Sequence, residues 1–91
     1  MIVRILGEGQ FTLDEEAATR LSTLDADLDR AIAANDSPRF DKALHAALAE
    51  VRAHGRPLDP DSIVPSDLAL PSEDSSLDEV RHLLESESAE S

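Results

Sequence analysis

Apolar residues fill five of the first six positions, Met1, Ile2, Val3, Ile5 and Leu6, with Arg4 the one interruption. The run is β-branched and nearly continuous, which suits a strand over residues 2–6 with both faces covered. Gly7-Glu8-Gly9 follows, and Gly7 and Gly9 supply the positive φ that a tight hairpin turn demands. Gln10-Phe11-Thr12-Leu13 then alternates polar and apolar, the pattern of a returning strand over residues 10–13. A Gly-x-Gly can also cradle a phosphate where it opens a helix. Here a strand follows it and a glutamate sits in its middle, so Gly7 and Gly9 are structural turn residues.

The period then changes from two to 3.6. Thr12 and Glu15 stand at capping-box spacing and Asp14 competes as N-cap, so a helix starts within residues 13–15. Ala17, Leu21, Leu24, Leu28, Ala31 and Ile32 recur at spacings that form one apolar stripe. Glu16 and Arg20 offer an i,i+4 ion pair on the same helix. Asn35 suits a left-handed C-cap, and Ser37-Pro38 reads as N-cap and first residue of a second helix. That helix, roughly Pro38–His54, turns Phe40, Ala43, Leu44, Ala47, Leu48 and Val51 inward and ends at Gly55. Two amphipathic helices joined by so short a link must pack antiparallel, as a helical hairpin.

From Arg56 the texture shifts again. Pro57, Pro60, Pro65 and Pro71 forbid a continuous helix, yet Leu58, Ile63, Val64, Leu68 and Leu70 are too apolar for a solvated linker. The reading is an extended segment laid across the domain. A two-stranded hairpin alone is marginal in water, so one of Ser62–Val64 or Leu68–Leu70 is expected to pair as a third strand. Ser76 with Glu79 makes a further capping box, and Leu77, Val80, Leu83 and Leu84 define a short last helix. Residues 86–91 are an acidic, serine-rich stretch with nothing to bury and are expected to be disordered. The predicted architecture is α+β. A single domain over residues 1–85 packs an N-terminal β-hairpin, with a short third strand, on an antiparallel helical hairpin, and a short C-terminal helix closes it.

Composition changes this picture in two ways. Only Phe11 and Phe40 are aromatic, so the core rests on aliphatic residues. The chain carries 20 acidic residues against 8 Lys and Arg, a net charge of −12. The excess is uneven: residues 1–56 sum to −3 and residues 57–91 to −9, with Arg81 the single base in the latter. Basic residues gather in the first part, at Arg20, Arg30, Arg39, Lys42, Arg52 and Arg56, so opposite ends of the domain can present opposite local potential. So acidic a surface repels phosphate backbones and anionic headgroups alike, which argues against nucleic acid and against direct membrane binding. With neither a membrane-length apolar run nor a targeting segment in the sequence, the expected compartment is the cytoplasm.

The residues offer little for catalysis. The absence of cysteine excludes disulfides and thiolate metal sites. His45 and His54 lie nine residues apart on one helix, on opposite faces, and His82 is remote in sequence. His54 at a helix C-terminus, one turn after Glu50, has a purely electrostatic explanation. Asp59, Asp61 and Asp67 invite a calcium reading. An EF-hand loop, however, needs an oxygen ligand, glycine and glutamate where Ile63, Val64 and Leu70 stand. No serine sits in a nucleophile elbow, and Asp27 and Asp29 read as a solvated helix face. The sequence therefore predicts no catalytic, metal or cofactor-binding residues, no cofactor and no enzyme.

The opening "MIVRILGEGQF" and the later "VPSDLALP" resemble the PspAA family, the small phage-shock-protein-A-associated proteins of actinobacteria and archaea. The resemblance extends through Leu77–Leu84 and so covers most of the chain; Phe11 stands where a tyrosine is expected. It implies a cytoplasmic partner of a PspA-like coiled-coil protein in the envelope (phage-shock) stress response, a non-catalytic adaptor with no functional residues to carry over. Other classes stay open: an acidic regulator that occupies a basic DNA-binding protein, or a small enzyme or metal binder. The sequence leaves the binding surface and the oligomeric state undetermined.

Overall fold

The computed structural model describes residues 1–61 and 64–82. Its elements run β1 (Ile2–Ile5), β2 (Gly9–Thr12), α1 (Glu15–Ala34), α2 (Ser37–His54), β3 (Arg56–Pro57) and β4 (Leu68–Leu70). A helix over residues 77–82, α3, closes the described chain. The strands form one mixed sheet in the order β3-β2-β1-β4. The architecture is the α+β fold predicted, with a sheet on one side and a helical hairpin on the other.

β1 is central. It pairs antiparallel with β2, Val3 opposite Phe11 and Arg4 opposite Gln10. It pairs parallel with β4, Val3 opposite Leu68 and Ile5 opposite Leu70. The hairpin turn uses both predicted glycines, at φ +88° for Gly7 and +112° for Gly9, backbone that side-chain-bearing residues rarely adopt. Of the two expected third strands, Leu68–Leu70 is the one described, and Ser62 and Ile63 lie outside the described residues. The short edge strand β3 was not anticipated. Gly55 makes it possible: the residue caps α2 in extended backbone, φ −80° and ψ 150°, and sends the chain straight into the sheet. A Cβ there would collide with the Val51 carbonyl oxygen and crowd the Phe11 Cβ at 3.2 Å.

One expectation about β1 needs correction. Val3 and Ile5 are fully buried against the helices, but Arg4 and Leu6 are exposed, Leu6 at 48%. The strand is covered fully on one face only. On the opposite face, residues 64–67 lie against β2 and β1 just before the chain enters β4. Gln10, paired with Arg4 on that face, donates from Nε2 to the Val64 carbonyl at 2.9 Å and to Ser66 Oγ at 2.7 Å. Residues 64–67 of the Pro-rich stretch are thus a strap tied over the Gln10 row of the sheet. Asp67 fastens its far end, accepting from the Ile2 amide at 2.8 Å.

The helices follow their apolar stripes. Ala17, Leu21, Leu28 and Ala31 of α1 are buried with Leu24 and Ile32 packed beside them, and all six predicted core positions of α2 are buried. The first helix starts within the expected window, with Asp14 of its two candidate caps in use, and the start signal of the second is shifted by one residue. Asp14, not Thr12, caps α1 by accepting from the Ala17 amide at 2.8 Å. Asp36, not Ser37, caps α2 by accepting from the Arg39 amide at 3.2 Å. Asn35 takes the left-handed C-cap conformation as expected, φ 55°. At α3, Ser76 Oγ accepts from the Glu79 amide at 3.2 Å and Leu77 is buried. Leu83, Leu84 and the acidic stretch 86–91 lie outside the described residues.

Candidate functional site

Antiparallel packing brings residues equally far from Asn35 face to face, so Arg20 of α1 meets Glu50 of α2. The expected Glu16–Arg20 pair gives way to this bridge between helices. The hydrogen bond to Glu50 raises the Arg20 guanidinium above its ordinary pKa. On the other flank Arg52 ties α2 to the hairpin turn through Glu8, and to the approach to α3 through Glu73 at 3.4 Å. Its pKa is raised in the same way, chiefly by Glu8.

Beyond the Arg20–Glu50 bridge, the two helices form a shallow groove of about 240 Å³ lined by Leu24, Asp27, Arg39, Lys42, Ala43 and Ala46. Its floor is apolar: Ala43 is buried, and Leu24 and Ala46 are half-buried. Asp27 on the rim is paired with Arg30 at 3.1 Å. Arg39 and Lys42 on the opposite rim make no ion pair among the described residues. In a chain of net charge −12 this is a local inversion of sign.

A larger cleft, about 380 Å³, lies between the start of α1 and the end of α2, lined by Thr12, Leu13, Asp14, His54 and Arg56. Two of its polar side chains, those of Asp14 and Thr12, are engaged in holding the fold. Asp14 caps α1, and Thr12 Oγ1 donates to the Arg56 carbonyl at 3.5 Å. His54 Nε2 lies 3.9 Å from Glu50 and would pair with it when protonated. His45, His54 and His82 are all exposed, and among the described residues no three His, Cys, Asp or Glu form a metal-binding group. Asp59 and Asp67 are likewise in structural use. Asp59 accepts from the Asp61 amide at 3.0 Å in a local turn, and Asp67 holds β1.

A family model matches residues 1–90, that of the PspA-Associated protein, PspAA. The chain belongs to the PspAA family. No similar curated protein and no similar solved structure was found. The match covers the hairpin, both long helices, the strap and α3 together, so this PspAA chain carries the family's pattern across every element described here. Membership links it to PspA-type proteins. No helix among the described residues of this PspAA protein is long and apolar enough to cross a membrane.

The groove was the feature that sequence reasoning missed. Arg39 and Lys42 stood out only as members of a basic half, and Leu24 as part of the core stripe. Their meeting depends on the register of the hairpin, which the two stripes and the short Asn35–Asp36 link together determine.

One acid near the groove carries a testable cost. Asp25, half-buried beside Leu24, has its carboxyl pKa raised, first by burial and then by the neighbouring charge of Asp29. A pKa raised on folding means the folded state favours the protonated form. Asp25 therefore helps most below the ordinary carboxylate range, and that help is lost as pH rises through its folded pKa. Asp25→Asn is expected to raise the melting midpoint slightly at pH 7, because it removes a charge that burial and Asp29 disfavour. The gain should vanish in melts near pH 3. An equal gain at both pH values would contradict the assignment.

Proposed function

We propose that this protein is a non-catalytic interaction module that binds a PspA-type coiled-coil protein in the cytoplasm and tunes its assembly during envelope stress. The observation that carries the reading is family membership over residues 1–90. Charge supports it: at −12 the protein is repelled by anionic bilayers and by nucleic acid, so its route to a membrane runs through another protein. The engagement of cleft groups as caps and ties supports it as well, since groups held this way serve the fold. The reading calls for neither cofactor nor metal.

Flotation on anionic liposomes tests it. Alone, the protein should stay at the bottom of the gradient; with the purified PspA homologue of the same organism, it should rise in whatever fractions that homologue occupies. Flotation without the homologue, or failure to follow it, would contradict the proposal. A salt-sensitive complex with a basic transcription factor instead would favour the acidic-regulator reading.

A further inference from the structure

We propose that the groove between α1 and α2 is the docking site, and that its occupant is an amphipathic helix of the PspA-type partner bearing carboxylates beside its apolar stripe. The inference rests on the reading above and names the surface that reading leaves open.

Three features define the occupant. The trough runs between two antiparallel helices, a shape that accepts a third helix by packing ridges into a groove. Its floor is small where the approach must be close, at Ala43 and Ala46, and Leu24 supplies apolar area for a side chain from the partner to cover. Its charge is cationic where it is unmatched. Arg39 and Lys42 lie three residues apart on α2, about 4.5 Å along the axis, so they present one turn's spacing of positive charge. Carboxylates at i and i+3 or i+4 on an incoming helix match that spacing. The neighbouring charges cannot serve, because Arg20 is held by Glu50 and Arg30 by Asp27. The outer sheet face has the cations Arg4 and Arg56, but the strap crosses it at Gln10. The hollow beside Arg4, about 180 Å³, is also lined by Asp59, which offsets its positive charge.

The test measures affinity for the purified PspA homologue by titration at low and moderate salt. The double variant Arg39→Glu/Lys42→Glu should bind at least about tenfold more weakly than the wild type, since it turns attraction into repulsion. The wild-type affinity should itself fall with salt. The variant should stay folded. Arg39 is the third residue of α2 behind the Asp36 cap, a position where the helix dipole favours an acid; a thermal melt checks this. Ala46→Gln, which fills the floor without changing charge, should also weaken binding. Arg4→Glu/Arg56→Glu on the sheet face should leave it within about twofold, as sites that do not couple do.

A wild type that binds, with groove variants that bind equally well, would overturn the docking site and leave the function standing. A wild type that does not bind would overturn both. If the wild type self-associates and the groove variants are monomeric, the occupant is a second copy and the proposal fails.

Discussion

Phe40→Ala is expected to lower the midpoint of thermal unfolding by roughly 15–30 °C. Phe40 is completely buried and heads the largest fully buried side chains of the protein. Its surroundings are otherwise aliphatic: Val3 and Ile5 from β1, Leu21 and Leu28 from α1, Leu44 and Leu48 from α2, Leu70 from β4 and Leu77 from α3 belong to one cluster with it. The ring is thus part of one core to which sheet, hairpin and last helix all contribute. Truncation removes its transfer free energy and leaves a cavity that so many independent elements cannot collapse into, a loss of about 3–5 kcal/mol. A small domain has on the order of 5–10 kcal/mol in total. Circular dichroism melts measure the effect. A shift of only a few degrees would mean that the elements do not share this core.

Gly55→Ala is the second large effect, and it comes from a different cause. Its φ of −80° suits any residue, so the reason for glycine is space and not backbone freedom. An added methyl meets the Val51 carbonyl oxygen, which already accepts the Gly55 amide at 2.6 Å. Backbone cannot yield as a flexible side chain would. Relief requires α2 to fray or β3 to leave Phe11 and Thr12, with which it pairs. The expected cost is about 1–3 kcal/mol, roughly 5–20 °C. Amide exchange should locate the damage at residues 55–58. Ala53→Gly, two residues earlier on an exposed position, should cost about 1 kcal/mol or less by propensity alone. Equal melts for Gly55→Ala and the wild type would refute the close approach.

These cases show what the chain discloses by itself. The helical hairpin was legible because its signals are local: two apolar stripes, caps and a short link. The first hairpin was legible for the same reason, in Gly7 and Gly9 between apolar runs. The α1 cap was narrowed to Thr12 or Asp14 and the α2 cap fell one residue late, at Ser37, since these side chains are equally able acceptors and only the helix register chooses between them. β3 was illegible because two residues, one of them proline, have no alternation to read; pairing with β2 makes them a strand. The strap's path depends on Gln10, whose amide reaches residues more than fifty positions away. The rim of the groove lay in the same blind spot. Arg39 and Leu24 are on different helices, and nothing in either stretch alone says that they share a surface.

Direct titration of the purified protein into the purified PspA homologue of the same organism tests the central claim most directly. A 1:1 or other fixed stoichiometry with a dissociation constant below about 10 µM, in the absence of lipid and nucleic acid, is the result expected. No heat and no co-sedimentation at several times that concentration, with both proteins shown to be folded, would contradict it.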